Sequence, residues 1–347
     1  MTGGRANLPL VALLACAVPA EPILPAAPAP KPSFLKGQLH LHSNNSGDSE
    51  TPPGDVARWY AEHGYDFIVF TDHNRITDVS TPGDLLVIPG MEITINVERC
   101  EPPPQGPLCP LHVNALFVDP TRTPAEQPDP ADLRRTTLFA WGIAKARSLG
   151  ALPQINHPNF HWAADADTIA AVADGPMLLE VANEAIDSVN AGDATHPSTF
   201  AIWDQLLARG VHVWGTATDD AHHYADAERV RARGELAFEG DRGWVMVRAP
   251  RRADADELRD AMARGEFYAT NGAMLDDVVC DSGGLLVWPQ APDAEVRCFA
   301  GGEPFPAEPA ESSHRVCRLA STPGAYVRAE IVGADGRRAW TQPCWAP

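Results

Sequence analysis

The sequence predicts an α/β domain with a mainly parallel sheet closed as a barrel, followed by a small disulfide-bonded β-sandwich. Three observations predict this fold class. Strand-like and helix-like segments alternate from about residue 34, as in parallel α/β sheets. Beyond about residue 240, short strand-like segments with Gly and Pro turns replace the alternation. Histidines and carboxylates follow several strand-like segments, which is where α/β barrels place their active sites.

The barrel, expected at 34–275, is predicted from segments of changing periodicity. Apolar runs indicate strands at 38–42, 66–71, 85–88, 111–118, 151–155, 178–181 and 211–214. Segments at 56–63, 133–149 and 199–209 indicate helices between some of these strands. A further strand at 243–248 and a helix at 253–264 complete the region.

The C-terminal region, 276–347, is predicted to be a separate small β-rich domain. Residues 325–332 alternate between apolar and polar side chains, which is typical of a strand with one buried face. The following Ala334-Asp335-Gly336-Arg337 supplies a hairpin turn.

The N-terminus is predicted to direct export. Residues 1–20 contain Arg5 and then an apolar run that is too short to span a bilayer, as in a signal peptide cleaved after Ala20. Leu13-Leu14-Ala15-Cys16 also resembles a bacterial lipobox, in which Cys16 would be acylated and would attach the protein to a membrane. A fortuitous apolar N-terminus is the third alternative. Residues 21–33 form a Pro/Ala-rich linker.

The cysteines agree with export to a periplasmic or extracellular location. Besides Cys16 there are six, an even number that predicts disulfides. Cys100 and Cys109 flank a short loop and are expected to pair with each other. The remaining four allow three pairings, which stay open: Cys280, Cys298, Cys317 and Cys344.

The formal charge of -19 excludes one broad class of partner. With 46 acidic against 27 basic residues, the chain lacks the clustered cations that neutralise phosphates of nucleic acid. We therefore expect no nucleic-acid partner.

An ordered series of histidines and carboxylates predicts a metal site. In His40-Leu41-His42 both imidazoles share one face of a strand, because side chains alternate along strands. Mixed imidazole and carboxylate sets bind divalent metals such as zinc, manganese and iron. The candidate ligands are His40, His42, Asp48, His73, Glu92, His112, His157, Asp220 and His222.

These motifs resemble those of the PHP (polymerase and histidinol phosphatase) family over residues 36–225. The resemblance implies a distorted, TIM-like (β/α)7 barrel with two or three metal ions at its C-terminal rim. Segments 243–245, 265–272 and 339–343 are similar to the secreted branch related to the CehA/McbA carbamate hydrolases. The motifs of the PHP family appear in order as His40-Leu41-His42-Ser43, Thr71-Asp72-His73-Asn74, Gly90-Met91-Glu92, His157-Pro158 and Asp220-Ala221-His222.

The resemblance implies a role for each ligand. His40, His42, Glu92 and Asp220 would hold a first ion, and Glu92 would bridge to a second, bound also by His112 and His157. Asp48, His73 and His222 would hold a third. Without Asp48 and His112 the site would shrink toward two ions.

Residues near these motifs are candidates for supporting roles. Glu92, Asp220 and His222 are the candidate catalytic residues. Asp72 is expected to orient a ligand imidazole. Contacts with substrate or with the ligands are expected for Arg75, His161, Trp162, Glu184 and His223.

Three functions fit the sequence. The favoured one is a phosphoesterase that uses a hydroxide bridging the ions beside Glu92 to attack a small-molecule ester. Hydrolysis of a carboxylic or carbamic ester, of CehA/McbA type, is the alternative within the same chemistry. A non-catalytic surface binding module with structural metals is the alternative from another class.

Overall fold

The computed structural model describes Met1 and residues 33–80, 83–122, 132–309, 314–320 and 322–346. The predicted signal peptide, the lipobox at Cys16 and all of the linker except Ser33 lie outside the described residues, apart from Met1.

Six α-helices occur among the described residues: α1 (Pro53–Glu62), α2 (Arg135–Ser148), α3 (Ala166–Val172), α4 (Thr199–Ala208), α5 (Ala227–Ala232) and α6 (Ala255–Ala263). The strands up to residue 270 are β1 (Phe34–Gln38), β2 (Phe67–Val69), β3 (Leu86–Ile88), β4 (Met91–Val97), β5 (Cys109–Leu116), β6 (Leu152–Ile155), β7 (Leu178–Asn183), β8 (Trp214–Thr218), β9 (Trp244–Arg248) and β10 (Phe267–Thr270). The later strands are β11 (Leu275–Asp281), β12 (Gly284–Pro289), β13 (Glu295–Ala300), β14 (Glu303–Pro306), β15 (Glu308–Pro309), β16 (Arg315–Arg318), β17 (Tyr326–Val332), β18 (Arg338–Thr341) and β19 (Cys344–Trp345).

A five-stranded sheet has the order β4-β5-β6-β7-β8. Strands β4, β5 and β6 pair antiparallel, whereas β6, β7 and β8 pair parallel. Helices α2 and α4 cover it with apolar side chains such as Phe139 and Trp203, both of which are buried in its core. Helix α4 begins at a favourable cap, because the Ser198 side chain accepts a hydrogen bond from the Ala201 N–H.

A second sheet joins the beginning and the end of the chain. Its order is β14-β13-β17-β18-β10-β9-β1-β2-β3, with β19 paired to β17. A third sheet has the order β11-β12-β16-β15. Strands on both sides of residue 275 thus share one sheet, and the domain limits remain a prediction.

Two isolated bridges connect the five-stranded sheet to the β1–β3 sheet. His73 pairs with Glu92, and Leu41 pairs with Ala221. The mixed α/β class is confirmed. The (β/α)7 barrel is not confirmed, because β3, β4 and β5 follow one another without a helix and β4–β6 are antiparallel.

The three disulfides resolve the pairing that the sequence left open. Cys100 bonds to Cys109, as predicted, and the other two pairs are Cys280–Cys344 and Cys298–Cys317. Three disulfides indicate a non-reducing environment. No helix of the described part of the chain has the length and apolarity that crossing a membrane requires.

A buried ion pair attaches α4 to the C-terminal strand β17. The Arg328 guanidinium donates from Nε to Asp204 Oδ1 over 2.7 Å and from Nη2 to Oδ2 over 2.6 Å. Tyr326 donates its hydroxyl to the same carboxylate over 3.0 Å. Both charged side chains are buried, at 2% and 7% exposure for Arg328 and Asp204. Each charge therefore depends on its partner for solvation.

We expect Asp204→Ala to lower the free energy of unfolding by about 3–5 kcal/mol, because it leaves the Arg328 charge buried and unpaired. Asp55→Ala removes an exposed pair with Arg58 and should stay within about 1 kcal/mol of the wild type. Urea unfolding followed by circular dichroism measures both. Equal midpoints for the two variants would contradict this role of the buried pair.

Candidate metal centre

The nine predicted ligands lie together at one rim of the structure. His40 and His42 follow β1, and both are fully buried. His73 follows β2, while Glu92 and His112 lie within β4 and β5. The remaining ligands lie at the ends of β6 and β8 or, in one case, in the loop after β1: His157, Asp220, His222 and Asp48.

Glu92 lies among imidazoles from four segments of the chain. Its Oε1 is 3.0 Å from His112 Nδ1, 3.5 Å from His40 Nε2 and 3.6 Å from His157 Nε2. Its Oε2 is 2.6 Å from His73 Nδ1. Both carboxylate oxygens therefore face nitrogen donors, as a bridging ligand requires.

Asp220 contacts the His-x-His pair. Its Oδ1 lies 3.1 Å from His42 Nε2 and 3.2 Å from His40 Nε2. The backbone of Asp220 has φ 51°, in the left-handed region that a non-glycine residue rarely adopts. Its N–H donates to the His40 carbonyl over 3.0 Å, which helps to hold this conformation.

Asp48 and His112 both face the cluster. Asp48 Oδ2 is 3.0 Å from His73 Nε2 and 3.4 Å from His222 Nε2. Within each of three groups, the candidate ligand atoms lie within 4.8 Å of one another. The groups are His40, His42 and Glu92; Glu92, His112 and His157; and His42, Asp48, His73 and His222. The number of ions remains a prediction, and His42 belongs to two groups rather than one.

Glu180, which was not among the predicted site residues, orients two ligands. It is fully buried in β7, and its Oε1 accepts a hydrogen bond from His40 Nδ1 over 2.6 Å. Its Oε2 accepts from the His157 N–H, also over 2.6 Å. His40 Nε2, which has no hydrogen-bond partner among the described residues, is thereby left facing the cluster. An acidic residue inside an apolar strand was the signal in the sequence that could have identified Glu180.

Asp72 reaches the ligands indirectly. Its carboxylate accepts hydrogen bonds from the Ser43 N–H, from Thr77 and, over 2.9 Å, from the Ser46 hydroxyl. Ser46 Oγ in turn lies 2.8 Å from His42 Nδ1. Asp72 thus positions the His42 ring through Ser46, which the sequence did not identify.

The other predicted supporting residues divide into two groups. His161 and His223 line the cavity above the ligands. Arg75 is exposed and does not line the cavity, and Glu184 lines a different cavity. Trp162 stacks on His196, with ring centroids 3.9 Å apart.

The carboxylates control the protonation of the metal-free site. Burial alone would lower the pKa of His73, but the carboxylates of Glu92 and Asp48 raise it to about 10. Burial and the neighbouring His222 lower the pKa of His42 to about 4. Although burial favours the neutral acid, His40 and His42 hold the pKa of Asp220 well below its usual range. At neutral pH some imidazoles, such as that of His73, therefore carry a proton. A metal ion that binds to such an imidazole would displace this proton.

These residues fit divalent metal ions. They combine imidazole nitrogens with the carboxylates of Asp48, Glu92 and Asp220. The buried Nε2 of His40 makes no hydrogen bond within the described residues and faces two of these carboxylates. Such a set suits zinc, manganese or iron, and its opening to a cavity differs from closed structural zinc sites.

A cavity of about 490 Å³ opens over the ligands. One wall is the Cys100–Cys109 loop, which contributes Leu108, and another is the segment that carries Phe160. Arg135 holds both walls, since its guanidinium donates to the Pro102 carbonyl over 2.9 Å and to the Trp162 carbonyl over 2.6 Å.

The chain was found to be similar to known proteins at the level of solved structures. The sequence has no significant match among protein families or among curated proteins. A solved structure from Bacteroides vulgatus, a two-domain protein described as containing a predicted PHP-like metal-dependent phosphoesterase, is similar at 17% identity with a TM-score of 0.45. The match covers 91% of this chain and 88% of that one.

We expect Glu180→Gln to weaken metal binding by about 10–100-fold, because the His40 ring loses the carboxylate that fixes it. Competition with a chromophoric chelator measures the affinity. Glu184→Gln is the matched control, since Glu184 lies outside the cavity over the ligands. Equal affinities for the two variants would exclude an orienting role for Glu180.

Metal binding at pH 7 is expected to release protons, because His73, with a pKa raised to about 10 in the free site, is protonated there. Affinity should consequently fall as the pH is lowered. Isothermal titration in two buffers of different ionisation enthalpy gives the number of protons released. Identical heats in both buffers would contradict this charge state.

Proposed function

We propose that this protein is a metal-dependent hydrolase of ester bonds, with phosphoesters as the favoured substrates. The observation that carries the proposal is the sharing of the Glu92 carboxylate between two ligand groups that open into one cavity. Ligand groups that share residues place ions close enough to act on the same bond.

Bound divalent ions would supply an activated water and neutralise charge on the attacked ester. The chain's own residues hold the geometry. Glu180 fixes the ring of His40 and the backbone of His157, and Ser46 fixes the ring of His42. Asp220 and Glu92 supply the negative charge that retains cations.

The strand arrangement supports a distorted barrel as the scaffold. The bridges His73–Glu92 and Leu41–Ala221 connect β2 to β4 and the end of β1 to the end of β8. Together with the ladders of the two sheets, they would close a ring of strands with the ligands at one rim. We include this closed, PHP-like ring in the proposal.

Export also belongs to the proposal. The three disulfides support a non-reducing location, and Cys16 would be the point of any lipid attachment. The net charge of -19 disfavours nucleic acid as substrate.

Hydrolysis of a carboxylic or carbamic ester is the second candidate function. It is favoured by the apolar side chains that line the cavity, among them Leu108, Phe160 and Phe238. The same ligand set could polarise a carbonyl oxygen in place of a phosphoryl oxygen.

The test is turnover of nitrophenyl phosphate, bis-nitrophenyl phosphate and naphthyl carbamate by protein reconstituted with zinc, manganese or iron. We expect His40→Ala and Asp220→Ala to lower the rate by more than about 100-fold while the fold is retained, because each removes a ligand of the cluster. His63→Ala is the control, since His63 is exposed and stacks on Trp59.

Wild-type rates in either ligand variant would contradict the assignment of the site. Metal binding without turnover of any ester would instead indicate the non-catalytic binding module.

A further inference from the structure

We propose that the cavity over the ligands binds an apolar, non-anionic group of the ester, adjacent to the bond that is cleaved. This inference rests on the proposed hydrolase function and narrows its substrate class. It concerns the part of the substrate that does not react. The metal-binding residues would contact only the reacting group and so would not discriminate between substrates by this part.

Two phenylalanine rings stand beside the ligands. Phe160 packs edge-on against His157, with ring centroids 5.1 Å apart. Phe238 packs against His222 at 5.6 Å. Each ring thus borders a different ligand group, and both line the cavity. A group joined to an ester at the ligands would therefore contact aromatic surface.

The wall formed by the disulfide loop is also apolar and is held in place. Leu108 and Pro110 line the cavity, and Leu108 keeps 38% of its surface exposed. Gly106 of the same loop lies directly against the His161 ring, where a larger residue would clash. This packing fixes the loop wall of the cavity, and a fixed wall lowers the entropy lost on binding.

The charges in the cavity disfavour an additional anion. Among the described residues that line it, no lysine or arginine occurs. Asp187 lines the cavity although it is not among the candidate metal ligands. A carboxylate or second phosphate on the non-reacting group would approach this carboxylate, with no lysine or arginine among the described lining residues to offset the repulsion.

The experiment measures binding of three phosphonates to the metal-reconstituted full chain by isothermal titration calorimetry. Methylphosphonate, phenylphosphonate and 4-carboxyphenylphosphonate share the group that would bind the ions and differ in the rest. We expect phenylphosphonate to bind at least about tenfold more tightly than methylphosphonate, because binding buries the apolar surface of the phenyl ring. The carboxylated compound should bind more weakly than phenylphosphonate.

Variants assign these preferences to residues. Phe160→Ala and Phe238→Ala should each lower the phenyl-to-methyl affinity ratio severalfold, and Asp187→Asn should reduce the discrimination against the carboxylated compound. Phe305→Ala, in β14 away from the cavity, is the control and should leave both ratios unchanged.

Equal affinities for methylphosphonate and phenylphosphonate, or a ratio unaffected by both phenylalanine variants, would overturn the inference. Turnover of esters together with equal phosphonate affinities would keep the proposed function and reject only this selectivity. Absence of turnover on every ester would reject the proposed function itself, whatever the phosphonates show.

Discussion

The buried carboxylate of Glu92, surrounded by imidazoles, is the constraint on which the rest of the site depends. Removing a charge from water is unfavourable by several kcal/mol unless partners replace the solvent. Its partners come from β5 and from the ends of β1, β2 and β6, so these segments must converge at one rim. The bridge between His73 and Glu92 is part of that convergence, since it aligns two strands that belong to different sheets. Glu92 therefore both connects the converging segments and contacts the imidazoles of the site.

A second layer of buried polar groups makes the convergence specific. Glu180 and Asp72 each accept several hydrogen bonds, and through them they set the orientation of His40 and His42. The left-handed backbone at Asp220, with φ 51°, persists because surrounding hydrogen bonds hold it. The outer walls are held in the same way, by the Cys100–Cys109 bond and by the buried side chain of Arg135. The metal-binding side chains and the cavity walls are therefore held in fixed positions by the protein itself.

The sequence predicted the convergence of the ligands better than the fold that produces it. The polar residues after apolar strands were sufficient, because a strand end is a local property. The strand predicted at 38–42 ends at Gln38 in the structure, so His40 and His42 follow β1 and do not lie within it. The expected alternation of strands and helices does not hold between 86 and 116, where β3, β4 and β5 follow one another and the disulfide loop connects β4 to β5. The pairing of Cys298 with Cys317 depends on contact between strands of different sheets, which no local pattern encodes. An acidic residue in an apolar strand makes Glu180 recognisable in the sequence. Its contacts with His40 and His157 are not recognisable there, because they join segments far apart in the chain.

Anomalous diffraction from crystals soaked in manganese or zinc shows whether Glu92 bridges two ions, because it locates each ion without reference to activity. We expect at least two anomalous peaks, one bonded to His40, His42 and Glu92 and one bonded to Glu92, His112 and His157, so that Glu92 contacts both ions. Peaks that do not contact Glu92, or a single ion held elsewhere on the protein, would contradict it.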